Sequence, residues 1–280
     1  MTINELNKLA EEGYITDVTL LDVCVKNPEM ISNIDFNNFV SRIVSPVDSV
    51  EEKLERGEDI RSAEEIFLEE LLKGHVSLTE NVMLSLAAVV TNKTVVDLNT
   101  YAISGGLFTE SNGEMTEGNT DSYVFWVKKG GDLTINADKN NTGGIKTQDA
   151  AYSMNIWAQG GKVYIYGGHF VNDGEGSDLI YASDGGKVYI YGGEFHPCAK
   201  KAGVEGTADV YTALNIKDKD RSKCEIIVYG GTFYNFNPAD NQSEGPATNF
   251  VAKGYESVEI KENVWEVRKI EESPIVVEEA

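Results

Sequence analysis

Gly160-Gly161-Lys162-Val163-Tyr164-Ile165-Tyr166-Gly167-Gly168-His169-Phe170 returns 25 residues later as Gly185-Gly186-Lys187-Val188-Tyr189-Ile190-Tyr191-Gly192-Gly193-Glu194-Phe195. A third copy reads Cys224-Glu225-Ile226-Ile227-Val228-Tyr229-Gly230-Gly231-Thr232-Phe233, with weaker copies over Gly130–Ile135 and Ala102–Phe108. Alternate residues of an extended chain point to opposite faces. The first and third positions are always aliphatic: Leu133 and Ile135, Val163 and Ile165, Val188 and Ile190, Ile226 and Val228. They read as inward. The second and fourth vary and carry the tyrosines, so they read as outward. The following Gly-Gly permits a turn at positive φ, and the next Phe re-enters the core to stack on its counterpart in the adjacent repeat.

A unit that buries its apolar face only against its neighbours is one turn of a stacked architecture. Roughly 20–30 residues per turn suits a parallel β-helix, whereas a propeller blade needs about 40 or more. The fold expected is mostly β: a right-handed, single-stranded parallel β-helix with an N-terminal α-helical domain. Further strands precede the doublets at Tyr152–Ile156, Asp178–Tyr181 and Tyr211–Ile216, the first and last sharing Met/Leu-Asn-Ile. Insertions over His196–Asp209 and Asn235–Thr248 read as projecting loops. Residues 1–74 read as a helical attachment and capping region, 75–268 as the β-helix and 269–280 as an acidic tail. Ser62 and Glu65 make a capping box and Gly74 a stop. The helix between them, with Ile66, Leu68, Leu71 and Leu72 as its apolar face, is expected to cover the first turn. Tyr255–Ile260 and Val264–Val267 are expected to close the far end.

The charge balance narrows the partners. With 46 acidic against 24 basic side chains the net charge is −22, which disfavours nucleic acid and anionic membranes. No apolar run reaches transmembrane length. The N-terminus lacks a basic start and apolar stretch, and three widely spaced cysteines, Cys24, Cys198 and Cys224, form neither a disulfide framework nor a metal motif. Folding in a reducing cytoplasm is the expectation, and no cofactor is implied.

Chemistry is sparse. His169 and Glu194 occupy equivalent positions one turn apart and are the first pair to consider for acid–base work, but Thr232 and Leu107 hold that place elsewhere, which suits a corner ladder. Asp149, Asp178 and Asp184 could hold a cation, although turn-forming Asp is the more ordinary role. His75, His169 and His196 make no metal set with the cysteines. A glycosidase needs two carboxylates at a set spacing, and no Asp-x-Asp pair on a strand near an Arg is present. The outward Tyr164, Tyr166, Tyr189, Tyr191 and Tyr229 are the candidate binding residues. Three readings stay open for them: an oligomer seam, a sugar-stacking platform, or a plain cross-strand ladder.

Val76–Leu84 and Thr94–Ile103 look like the opening turn of pectate-lyase-like β-helix domains. The span Gly105–Trp265 resembles β-helix modules of structural proteins from Bacteroides and crAss-like phages, notably at Asp121-Ser-Tyr-Val-Phe-Trp-Val127, Ala213–Asp218, Ser243–Pro246 and Asn249–Tyr255. The resemblance implies a virion-surface protein, a head fibre or capsid decoration, that is homotrimeric and not an enzyme. It would attach to a capsid or tail protein through the N-terminal region and adhere to host surface glycan. A polysaccharide depolymerase and a carbohydrate-binding module without chemistry are the alternatives.

Overall fold

In the computed structural model the described residues are 61–172, 178–200, 210–241 and 248–271. The expected helical region before residue 61, most of the acidic tail, the last nine residues of the first insertion and the middle of the second lie outside them. The described chain is mostly β, with parallel sheets, and begins with one helix, α1 (Ala63–Lys73).

After α1 the chain visits three sheets in rotation. The first pass is β1 (His75–Ser77), β2 (Val82–Met83) and β3 (Ala88–Val90). The second is β4 (Lys93–Asp97), β5 (Ala102–Ser104), a hairpin of β6 (Phe108–Ser111) and β7 (Glu114–Glu117), and β8 (Asp121–Lys128). Then come β9 (Asp132–Asn136), β10 (Gly144–Thr147) and β11 (Tyr152–Gln159), followed by β12 (Lys162–Ile165), β13 (His169–Asn172) and β14 (Ile180–Ser183). The fifth pass is β15 (Lys187–Ile190), β16 (Glu194–His196), a short ribbon of β17 (Ala199–Lys200) and β18 (Val210–Tyr211), and β19 (Leu214–Ile216). The last holds β20 (Glu225–Val228), β21 (Gly231–Tyr234), β22 (Tyr255–Lys261) and β23 (Val264–Lys269).

The first sheet is β1-β4-β9-β12-β15-β20, parallel throughout. The second runs β2-β5-β10-β13-β16-β21 in parallel and ends with the antiparallel pair β23-β22. The third is built on the parallel strands β8, β11, β14 and β19, with β3 and the hairpin also joined to β8. Register aligns Val76, Val96, Ile135, Ile165, Ile190 and Val228 across the first sheet. All six are buried, as are the other inward aliphatics read from the repeat. Phe170, Phe195 and Phe233 stack in the second sheet at 4.9 and 4.6 Å between ring centroids, nearly parallel. The turn before each of these strands holds its second glycine at positive φ, 112° at both Gly168 and Gly193. At Gly186 the constraint is space: a Cβ would lie 2.0 Å from the Ala158 carbonyl oxygen.

Several details differ from the sequence reading. The aligned positions of the first sheet are separated by 20, 39, 30, 25 and 38 residues, not by one interval. The two longest steps contain the β6–β7 hairpin and the insertion that β17 and β18 pair at its base. Ala102–Phe108 is not a copy of the repeat: Ile103 lies in the second sheet in register with Ile145, so its Gly-Gly leads out of that sheet, and Phe108 packs edge-on against Tyr123 instead of joining the Phe stack. In the third sheet Leu214 aligns with Ile180 and Ile156, two residues from the Met/Leu-Asn-Ile alignment. Met154 packs in a separate apolar cluster while Ile156 enters the main core with Ile180 and Leu214, a break in alternation that the shared Met/Leu-Asn-Ile does not show.

Helix α1 packs on β1, β2 and β4 and lies in the same compact unit as the strands. Its capping box and left-handed Gly74 are present. The buried residues are Phe67 and Leu71, flanked by Ala63 and Leu68, while Leu72 is exposed. The face therefore follows the i, i+4 row 63–67–71 rather than the Ile66 and Leu72 edges. Phe67 meets Phe125 at 6.2 Å. Glu64 accepts hydrogen bonds from the Ser85 amide and hydroxyl, both at 2.6 Å, fastening the helix to the turn after β2.

Candidate functional site

Strands β8 and β11 are eight residues each, the longest in the molecule's described part, and are buried along most of their length. Phe125, Val127, Ile156 and Ala158 enter the main core. Tyr123, Trp126 and Met154 instead join Phe108 and Ala87 in a second apolar cluster, with Trp157, Tyr181 and Met115 packed against it. Two opposed apolar faces explain why these strands read as near-continuous hydrophobic runs. Register places Trp157 beside Trp126 and Gln159 beside Lys128. The indole rings stack at 4.7 Å with 4° between planes, and the Lys128 ammonium sits 3.8 Å from the Trp126 ring centroid.

The hairpin β6–β7 stands beside this pair and makes one wall of a groove of about 650 Å³. Glu110, Asn112 and Gly113 come from the hairpin; Trp126, Lys128, Lys129, Trp157, Gln159, Gly160 and Asp184 complete the lining. Its polar groups are held in place from behind. Trp126 Nε1 donates to Gln159 Oε1 at 2.9 Å, and Gln159 Nε2 donates to Asp184 Oδ2 at 3.0 Å. Trp157 Nε1 donates to Ser183 Oγ at 2.9 Å. Glu110 Oε1 accepts the Gly113 amide at 2.6 Å, closing the hairpin turn. Tyr123, beneath, donates to Asp121 at 2.5 Å; burial first and that carboxylate second push its phenol well above the usual range. A concave surface with the part-exposed Trp157 and several fixed amide and carboxylate groups is suited to a polyhydroxylated ligand. Sequence reasoning did not single out Trp126 and Trp157. The available signal was two tryptophans 31 residues apart, each two positions before a long polar side chain.

The five tyrosines form two stacks beside the first sheet. Tyr164 lies on Tyr189 at 5.3 Å. Tyr166, Tyr191 and Tyr229 form the second row at 4.8 and 4.9 Å, ended by Tyr255 edge-on to Tyr229. The rings cover one another's faces and present their edges, with Tyr166 and Tyr191 the most exposed at 53% and 41%. Burial pushes the Tyr189 hydroxyl up to about 12, aided by a hydrogen bond with Glu225.

Asp149, Asp178 and Asp184 do not converge: among the described residues, the trio of ligand atoms drawn together is His169, Glu194 and His196. Asp178 is buried and accepts from Asn215 at 2.9 Å, and Asp184 occupies a positive-φ turn. His75 pairs with Asp97 at 2.7 Å on the first sheet. The histidines are thus not uniformly scattered, since two of the three meet around one carboxylate. Cys198 and Cys224 are free thiols. Among the described residues no helix is long and apolar enough to cross a membrane.

Comparison of the chain with protein-family models, curated proteins and solved structures found no match.

Proposed function

We propose that the chain is a right-handed parallel β-helix serving as a non-catalytic, glycan-binding structural appendage of the kind phages display on the virion surface, as a head fibre or capsid decoration. The observation that carries the adhesive reading is the groove beside Trp157, where backed polar groups surround an indole edge. The rotation of strands among three sheets, with in-register parallel pairing in each, is what supports the β-helix. The virion setting rests on the resemblance given above. Attachment would run through the N-terminal region, residues 1–74, and trimerisation through the exposed edges of the Tyr166–Tyr191 row.

A depolymerase is the second reading, since Glu110 and Asp184 both line the groove. Each carboxylate is already engaged, Glu110 with the hairpin turn and Asp184 with Gln159, which favours binding over cleavage. A glycan microarray probed with the purified chain tests both. The expected result is retention of a surface polysaccharide without release of reducing ends. Trp157→Ala, and separately the exposed pair Asn112→Ala with Lys129→Ala, should weaken binding by roughly tenfold or more. Binding unaffected by either change would overturn the assignment to this groove. Release of reducing ends, lost in Glu110→Gln, would install the depolymerase instead.

A further inference from the structure

Glu194 and His196 are two residues apart on β16 and therefore point to the same side of the second sheet. On β13, His169 is in register with Glu194. The three are partly buried. Glu194 Oε2 lies 3.7 Å from His169 Nδ1 and 3.6 Å from His196 Nε2. All three ligand atoms fall within 4.8 Å of one another. The imidazole rings are nearly parallel, 13° apart at 6.0 Å, and Tyr234 on β21 lies against His196 at 3.9 Å.

We infer that His169, Glu194 and His196 form a binding site for a divalent transition-metal ion, with zinc the natural occupant. A zinc ion about 2.0–2.1 Å from each donor needs donor atoms roughly 3–3.5 Å apart. The two nitrogen–oxygen separations are within a few tenths of an ångström of that range, and the two imidazole nitrogens, within 4.8 Å of each other, would be drawn onto the ion by side-chain rotation. Two imidazoles and one carboxylate select zinc, cobalt or nickel over magnesium or calcium, which prefer oxygen. Three protein donors leave a further position for water or an oxygen atom of a bound molecule. The donors are also local to one pair of strands. The equivalent positions are Gly144 and Lys146 on one side and Thr232 on the other, so a ladder repeated along the sheet does not account for them. The ion would tie two successive passes of the chain together at the exposed face of the second sheet.

The test is calorimetric titration of tag-free, EDTA-dialysed full-length chain with zinc chloride, with magnesium chloride as control. One zinc per chain, no magnesium uptake and a higher melting temperature with zinc are expected. His169→Ala, His196→Ala and Glu194→Gln should each weaken zinc binding by roughly tenfold or more while leaving the far-ultraviolet dichroism unchanged. Cobalt in place of zinc should give visible absorption bands that disappear in His196→Ala. Absence of zinc binding to the parent chain would overturn the inference. So would undiminished affinity in the folded His169→Ala and His196→Ala variants, which would assign the zinc to other residues and leave the trio a plain ion-pair cluster.

Discussion

Burial holds the phenols of Tyr164, Tyr189, Tyr191 and Tyr234 in their protonated form, with Asp132, Glu225 and Glu194 reinforcing it at Tyr164, Tyr189 and Tyr234. Each folded-state pKa lies above the unfolded value near 10. The protonated ring therefore favours the folded chain, fully so below pH 10, and that contribution is lost as pH rises through about 12 at Tyr189. Melting temperature should consequently fall between pH 9 and pH 11.5, and absorbance at 295 nm should show a set of phenols ionising late that titrate normally in denaturant. Equal midpoints in native and denatured protein would contradict this. That these tyrosines face outward was legible in the repeat, because alternation needs only local sequence. Their stacking required the register between strands, and the Trp126–Trp157 pair stayed hidden for the same reason: no local pattern says which residues 31 apart become neighbours.

At the scale of elements, α1 is the most locally encoded part of the chain. Ser62 accepts from the Glu65 amide at 3.2 Å, and Glu65 accepts from the Ser62 amide at 2.8 Å. Ser62→Ala removes one half of this exchange and should cost about 1 kcal/mol of stability, measurable by urea unfolding; a change below a few tenths would show that the packing of Phe67 and Leu71 dominates. Start and stop were readable because caps are made within four residues. The buried face was not, because Phe67 is selected by Phe125, far along the chain. The hairpin β6–β7 presents a similar limit. Its turn, Asn112-Gly113 with both residues at positive φ, is a hairpin signature. The repeat-based alignment nonetheless absorbed Phe108 into a series to which it does not belong.

For the whole molecule, the expected assembly is a homotrimer, so light scattering on the full chain should give three times its 30.7 kDa mass. Changing Tyr166 and Tyr191 together to Ser should reduce this to a single chain; an unchanged mass would confine those rings to stacking within the chain. Parallel, in-register pairing of the repeated strands was anticipated by the repeats, but the division into three sheets and the steps of 20 to 39 residues were not, since a sequence period measures chain length and a sheet measures register. That separation has a consequence for descent. Because the hairpin beside Trp126 and the insertion after β16 add residues without shifting any strand pairing, in-frame gains and losses of codons there leave the stack untouched. Selection can rewrite the exposed surfaces of such a chain by insertion and deletion, and so vary what they contact faster than point substitution alone permits.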